Sequence, residues 1–409
     1  MKKLFTLFLL ACCSLSIWAY QFKHGDLCYN VLSYYPNTVE VTYSTADVVD
    51  PYNYVGLDSV VVPDSVVYNE MTFAVVGLGD RAFNTTSIVN ISLPNTIEYI
   101  GEHCFDWADK LVFIAIPNSV KHIRRNAFAC CESLQSVLVG DSVETIDMAA
   151  FMGCRSLETI HLPKSVYAVG PVVFSHTDKL QSFSVDEDNL RYCAVDGVLY
   201  DKDKKTIVAY PCGRQDEKYT ILEGVEEVYY SAFESNMYLK EVKLPTSLNI
   251  VGPYAFSMCQ ELRYVDIPNN VTEIDEWAFA NCQKMDSIRF GTSLESIDWC
   301  AFVGCFELRV IDCCLTAPCW VGSQGLDTGY DDYYGINTTL LVPKGTKDLF
   351  AVAAEWRDLN IVEKDSEVTT DIVNTSINQL DGTMKVINNV QLNILHNGKS
   401  YNLQGARLQ

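Results

Sequence analysis

The chain has 409 residues, enough for two or three ordinary domains, with a formal net charge of −22 and only 20% charged residues. That acidic balance argues against nucleic acid and anionic membrane surfaces as partners. Beyond the first residues, no stretch approaches the ~20 uninterrupted apolar residues of a membrane span.

At the start, Lys2 and Lys3 precede an apolar run from Leu4 to Leu10, and Ala19 stands at a small-residue cleavage position. This pattern predicts a signal peptide over 1–19, a mature chain beginning near Tyr20, and an exported, secreted or cell-surface protein. Its removal takes the net charge from −22 to −24. Leu9-Leu10-Ala11-Cys12 also has the order of a lipobox, which would place a lipoprotein anchor on Cys12 instead.

Residues 20–76 are strand-like. Val39 to Tyr43 alternate, and Ser59-Val60-Val61-Val62-Pro63 mimics a repeat strand. This region is expected to cap a repeat array that would otherwise expose an apolar end and an unpaired edge. From residue 77 one pattern recurs. Phe105, Phe128, Phe151 and Phe174 stand 23 residues apart, as do Phe256, Phe279 and Phe302, with Phe83 and Phe233 completing nine. Six residues after each (five after Phe83) an L-x-x-I-x-L pattern opens, as in Leu157, Ile160, Leu162, Pro163 and in Leu262, Val265, Ile267, Pro268. A fixed period in the twenties means a solenoid, because one such unit cannot bury its apolar face alone.

The first block spans 77–185. A second apolar pair, such as Val120/Ile123 and Val143/Ile146, should form the opposite wall of each coil, with the Ala-Phe turn plugging the space between. The interval from Phe174 to Phe233 is 59 residues, and 186–218 is read as an inserted hairpin around Asp196-Gly197. The second block covers 219–313. Residues 314–363 should close the far end with a strand at Thr338 to Pro343, a short helix within Lys347 to Trp356 and a strand at Ile361 to Glu363. The tail, 364–409, is polar and nearly free of aromatics. The fold class is therefore a β-rich, right-handed solenoid of about 23 residues per coil, with short helical turns and a cap at each end.

Sixteen cysteines are present, fourteen of them outside the leader. Cys131, Cys154, Cys259, Cys282 and Cys305 each sit three residues after a repeat Phe, where a small apolar side chain fills a slot in every coil. Parallel Cβ vectors should leave this column reduced. Cys193 and Cys212 flank the insert and are the first pair to test for a disulfide.

The repeat text, the Asp-Gly-Val-Leu-Tyr of 196–200 with the later Tyr210-Pro211, and the Leu341-Val342-Pro343-Lys344-Gly345 ending together resemble the BspA-type leucine-rich-repeat surface proteins of Bacteroidetes. The resemblance implies export and protein binding, with adhesion to host matrix or plasma proteins such as fibronectin and fibrinogen as the class of activity. Tyr401 to Leu408 is similar to a C-terminal element of exported Bacteroidetes proteins, here cut short.

Chemistry is sparse. Asp327-Thr328-Gly329 lacks the second carboxylate triplet of an aspartic protease. Gly398-Lys399-Ser400 lacks the first glycine of a phosphate-binding loop, since Asn393 stands there. The Asp327, Asp331, Asp332 loop lacks EF-hand spacing. The six histidines are scattered, and no C-x-x-C or zinc spacing occurs. The reading is a non-enzyme without metal or cofactor.

The outward strand positions are more informative. In the first block they include Phe113/Ala115, Ser136/Leu138 and Thr159/His161, without a charged pair; in the second, Glu241/Lys243, Tyr264/Asp266, Ser287/Arg289 and Val310/Asp312. Lys243, Asp266, Arg289 and Asp312 alternate in sign, as a solvated ion-pair ladder would. Phe113, Leu138, His161 and Tyr264, with Lys243, Asp266 and Arg289, are the candidate protein-contacting residues, because exposed aromatics in a polar surround mark contact sites. A surface-layer protein without soluble ligand is the alternative, and an unrecognised hydrolase a remote one.

Overall fold

The computed structural model describes residues 20–44, 54, 56–328 and 338–364, and the backbone of 384–388, 391–396 and 399–401. The expected signal peptide with Cys12, Asp331, Asp332 and residues 402–408 of the expected C-terminal element lie outside the described residues. Two compact units are present, Met1–Glu363 and Lys364–Gln409. The second is described as an antiparallel meander of Met384–Asn388, Gln391–His396 and Lys399–Tyr401.

The first unit is a β-solenoid in which every coil contributes one strand to each of two walls. In the first wall, Ser59–Val61, Asn90–Ser92, Phe113–Ala115, Ser136–Leu138, Thr159–Leu162 and Ser182–Val185 form a six-stranded parallel sheet. Two-residue strands such as Tyr99–Ile100, His122–Ile123 and Thr145–Ile146 form the facing wall. Because pairing is parallel and in register one coil apart, each position stacks on its own equivalent. The inward members Ile114, Val137, Ile160 and Phe183 are buried, as are Val120, Ile123, Val143 and Ile146 opposite.

Between the walls the repeat phenylalanines form two ring stacks. Phe83, Phe105, Phe128 and Phe151 follow one another at centroid distances of 5.1–5.3 Å with near-parallel planes, and Phe174 lies 6.2 Å beyond. Phe233, Phe256, Phe279 and Phe302 repeat this at 4.8–5.4 Å. The expected short helical turns are corrected here: the segment around each Phe is a hydrogen-bonded turn, and the described helix is confined to Lys347–Phe350. The residues two before and two after every repeat Phe take positive φ, for example His103 at 53° and Trp107 at 60°, or Trp277 at 57° and Asn281 at 59°. This alternation turns three N–H groups per coil toward the next coil. His103, Phe105 and Trp107 donate to the carbonyls of Arg125, Ala127 and Ala129 at 3.0, 2.7 and 2.9 Å. A helix would keep those donors within its own segment. Here they close a third side of each coil.

The cysteine column is buried and does more than fill space. Each Sγ, from Cys131 through Cys305, donates to the carbonyl of the Phe one coil earlier at 3.1 Å. Cys212 joins the column by bonding the Phe174 carbonyl at 3.3 Å, while Cys193 donates to the Asp201 carbonyl at the same distance. Both are free thiols and do not form the suspected pair.

The hairpin is built into the solenoid. Tyr192–Val195 and Val198–Asp201 pair antiparallel, the latter with Thr206–Ala209, and that strand pairs in parallel with Glu227–Val228 of the second block. Tyr210 stacks on Phe233 at 5.0 Å, in the place of a repeat Phe. The middle strand separates two cores: Leu199 packs into the first block's cluster, and Val198 and Tyr200 into the second's. At the amino-terminal end, Tyr54 lies against Phe83 at 5.3 Å, accepts a hydrogen bond from the Cys28 N–H and donates one to the Thr42 carbonyl. At the other end Thr339–Val342 and Asn360–Glu363 complete the second block's counterpart of the first wall, a separate seven-stranded sheet, and buried Trp356 anchors its indole N–H on the Cys319 carbonyl.

Candidate functional site

The six-stranded sheet of the first block presents two outward columns. Ser59, Asn90, Phe113, Ser136, Thr159 and Ser182 are in register in one; Val61, Ser92, Ala115, Leu138, His161 and Ser184 occupy the corresponding positions of the other. None of these twelve side chains is an acid, lysine or arginine. Phe113 is 40% exposed and Leu138 61%, on adjacent strands with only Ala115 and Ser136 between them, so the two form one apolar diagonal. Val61, 74% exposed at the edge of the same sheet, is a further apolar side chain on this face, set apart from Phe113 by the Asn90–Ser92 strand, and sequence reasoning missed it by assigning 59–63 to a cap. Its likeness to a repeat strand was the available signal. His161 faces solvent and bonds the Ser184 hydroxyl through Nδ1 at 3.0 Å.

The remaining candidates lie on a different sheet, in the second block, and the structure does not bring the two sets together. The Asp196-Gly197 turn stands between them: the Gly197 carbonyl accepts from the Phe183 N–H at 2.8 Å, and a Cβ on Gly197 would fall 2.8 Å from that of Ser182. Arg214 holds this turn, donating to the Asp196 carbonyl and carboxylate and to Asp216, with its guanidinium over the Tyr210 ring at 5.7 Å.

Within the second sheet the alternating ladder reduces to three residues. Arg289 pairs with Asp266 at 2.8 Å and lies 4.0 Å from Asp312. Asp312 is only 7% exposed, so it is not the solvated end of a ladder; it sits in register between Arg289 and Leu341. Lys243 is exposed and forms no ion pair with Asp266, which is taken by Arg289 on its other side. Lys218 and Glu241 pair instead, in the other column, at 2.5 Å. Tyr264 is half-buried, and that burial raises its phenol above the ordinary range.

Two further features were not legible in the sequence reading. An open cleft of about 310 Å³ lies beside the hairpin, lined in part by Val169, Leu190, Arg191, Tyr192, Asp203 and Tyr229. Asp201 on its wall is committed to the turn, accepting from the Lys205 and Thr206 N–H groups at 2.7 and 2.9 Å. Along the turns of the second block, Tyr230, Tyr254, Trp277 and Trp299 follow one another at 5.4, 6.0 and 5.6 Å. The signal was an aromatic two or three residues before successive repeat phenylalanines. Among the described residues no three His, Cys, Asp or Glu side chains are grouped to hold a metal ion, and no helix is long and apolar enough to cross a membrane.

Comparison with known proteins agrees with this architecture. The family described as BspA type leucine rich repeat region matches in six copies, over residues 77–193 and 212–317. No curated protein sequence matches the chain. Among solved structures, the pneumococcal vaccine antigen PcpA is similar over 85% of this chain and 99% of its own, at 19% identity and a TM-score of 0.60. A leucine-rich repeat protein from Bacteroides ovatus is similar over 84% and 90%, at 20% identity and a TM-score of 0.52. At such identities the likeness is one of fold. With more than half its length matched by the repeat family and the solenoid built as those repeats require, the chain belongs to the BspA-type leucine-rich repeat proteins.

Proposed function

We propose that the protein is an exported, cell-surface binding scaffold that performs no chemistry of its own and adheres to host extracellular protein through the outward face of its first block. The observation that carries this reading is the uncharged six-stranded face, on which Phe113 and Leu138 stand exposed side by side. A parallel sheet held by coils of one repeated geometry is a rigid platform, so a partner spanning several coils gains contacts without ordering the surface first. Aromatic anchors dominate such interfaces, and a surround of Ser, Thr and Asn supplies hydrogen bonds at low desolvation cost. The vaccine antigen among the structural relatives is in keeping with display outside the cell. In surface plasmon resonance against immobilised fibronectin and fibrinogen, Phe113→Ala with Leu138→Ser should weaken binding at least tenfold, about 1.4 kcal/mol, with an unchanged melting curve. Wild-type-like binding by this variant, or reversible self-association of the wild type with no uptake of either protein, would rule the reading out.

A further inference from the structure

The aromatic row on the second block lies in a one-sided electrostatic setting. Segments 226–234, 249–257, 272–281 and 295–304 build this edge of four successive coils. They carry Glu226, Glu227, Glu234, Glu273, Asp275, Glu276, Glu295 and Asp298, and no lysine, arginine or histidine. Among the described residues only Glu226 has an ion-pair partner, Lys205 at 2.6 Å. The equivalent edge of the first block is mixed, with Lys121, His122, Arg124 and Arg125 in one coil alone. Burial raises the phenols of Tyr230 and Tyr254, and the charges of Glu276 and Glu234 add to that rise in both. Asp275 is pushed up to about 6 by burial and by Glu273, Asp298, Glu276 and Glu227 around it. The four rings are partly exposed, Trp299 by 46%. Their backbone is fixed from coil to coil, with the Tyr254 N–H on the Glu276 carbonyl and the Trp277 N–H on the Trp299 carbonyl, both at 3.0 Å.

We propose that this edge is a docking strip for an extended, arginine- or lysine-rich polypeptide segment, whose cationic heads pair with the flanking carboxylates while their aliphatic stems lie across the ring edges, the first three rings turning their faces to one another at interplanar angles of 21° and 7°. Neither part would suffice alone. Acidic residues without the rings are a solvated surface, and rings without the acids do not select charge. Together they match a cation carried on an aliphatic stem, which is the chemistry of the arginine and lysine side chains. Spacing agrees as well: every second side chain of an extended chain recurs at roughly 6.6 Å, close to the 5.4–6.0 Å between rings. The strip is distinct from the Phe113/Leu138 face, so the two readings stand or fall separately.

A fluorescently labelled decapeptide of alternating arginine and serine, titrated into the full chain and read by anisotropy and tryptophan quenching, tests the strip. Saturable binding that weakens steeply with salt is expected. Trp299→Ala, and separately Glu276→Gln with Asp298→Asn, should each weaken it at least tenfold, whereas Phe113→Ala with Leu138→Ser should leave it unchanged. Glu98→Gln with Asp109→Asn removes the same charge from exposed positions in the first block and should shift affinity less than twofold. An equal loss in that control would mean diffuse attraction to an acidic protein and overturn the proposal. So would quenching of the tryptophans by a neutral oligosaccharide but not by the peptide, since ring rows also stack on sugars.

Discussion

Phe256→Ala tests the ring stack most directly. The side chain is fully buried between Phe233 at 4.8 Å and Phe279 at 5.2 Å, both near-parallel. Its main chain is tied on both sides, by the N–H to the Ala278 carbonyl at 2.7 Å and by the carbonyl to Cys282 Sγ at 3.1 Å. Transfer of a buried phenylalanine side chain is worth about 1.5–3 kcal/mol. Each ring contact adds about 0.5–1.5 kcal/mol. Neighbouring coils are held by backbone bonds and cannot collapse into the void, so a loss of about 4 kcal/mol is expected, within the range for such truncations. Phe256→Leu keeps most of the volume and should cost about 1.5 kcal/mol or less. Because Phe256 belongs to the second of the two cores, that block should unfold first and the urea melt, followed by far-ultraviolet circular dichroism, should become biphasic. A loss under about 1 kcal/mol for Phe256→Ala, or an equal loss for Phe256→Leu, would refute the stacking argument.

The backbone and the acidic edge give two further expectations. Val172 is a β-branched residue held at φ 51°, a left-handed conformation that costs such a side chain about 1–2 kcal/mol. Val172→Gly should therefore stabilise the chain modestly in chemical denaturation, and Gly153→Ala, at φ 74° with its new Cβ 3.2 Å from Cys130 Sγ, should destabilise it by about 1 kcal/mol. The Asp275 carboxyl is raised to about 6 in the fold from the ordinary 3.8 of an aspartate, so the folded state holds its proton more tightly than the unfolded chain does. Its penalty is absent below the unfolded value and fully present above about 6, so stability should rise as pH falls from 7 toward 4. With the group half-exposed, solvent screening limits the effect to about 1 kcal/mol, and Asp275→Asn should remove it from denaturation curves measured at both pH values.

The period, the walls and the plugs were written in the residues, because in a parallel stack every coil meets a near-copy of itself and register is settled by local spacing. The Ala-Phe pairs, the L-x-x-I-x-L strands and the cysteine slots could thus be assigned without coordinates. Counting 23 back from Phe233 lands on Tyr210, so even the coil hidden behind the hairpin was legible in principle. What only the tertiary structure decided are matters of distance across coils. The hairpin reads in sequence as an excursion, yet packing makes its middle strand the partition of two cores, with Leu199 facing one and Tyr200 the other. The alternating charges read as an open ladder, but Asp312 is buried and Lys243 is left out, since Asp266 is taken by Arg289 and alternation of sign does not decide which neighbour a side chain chooses. The fold class suggested short helical turns, while around each Phe the carbonyls of the next coil, invisible to any single repeat, draw the N–H groups outward into a third ladder. Tyr230, Tyr254, Trp277 and Trp299 become one surface for the same reason: stacking at a fixed period converts residues two dozen apart in the chain into neighbours in space.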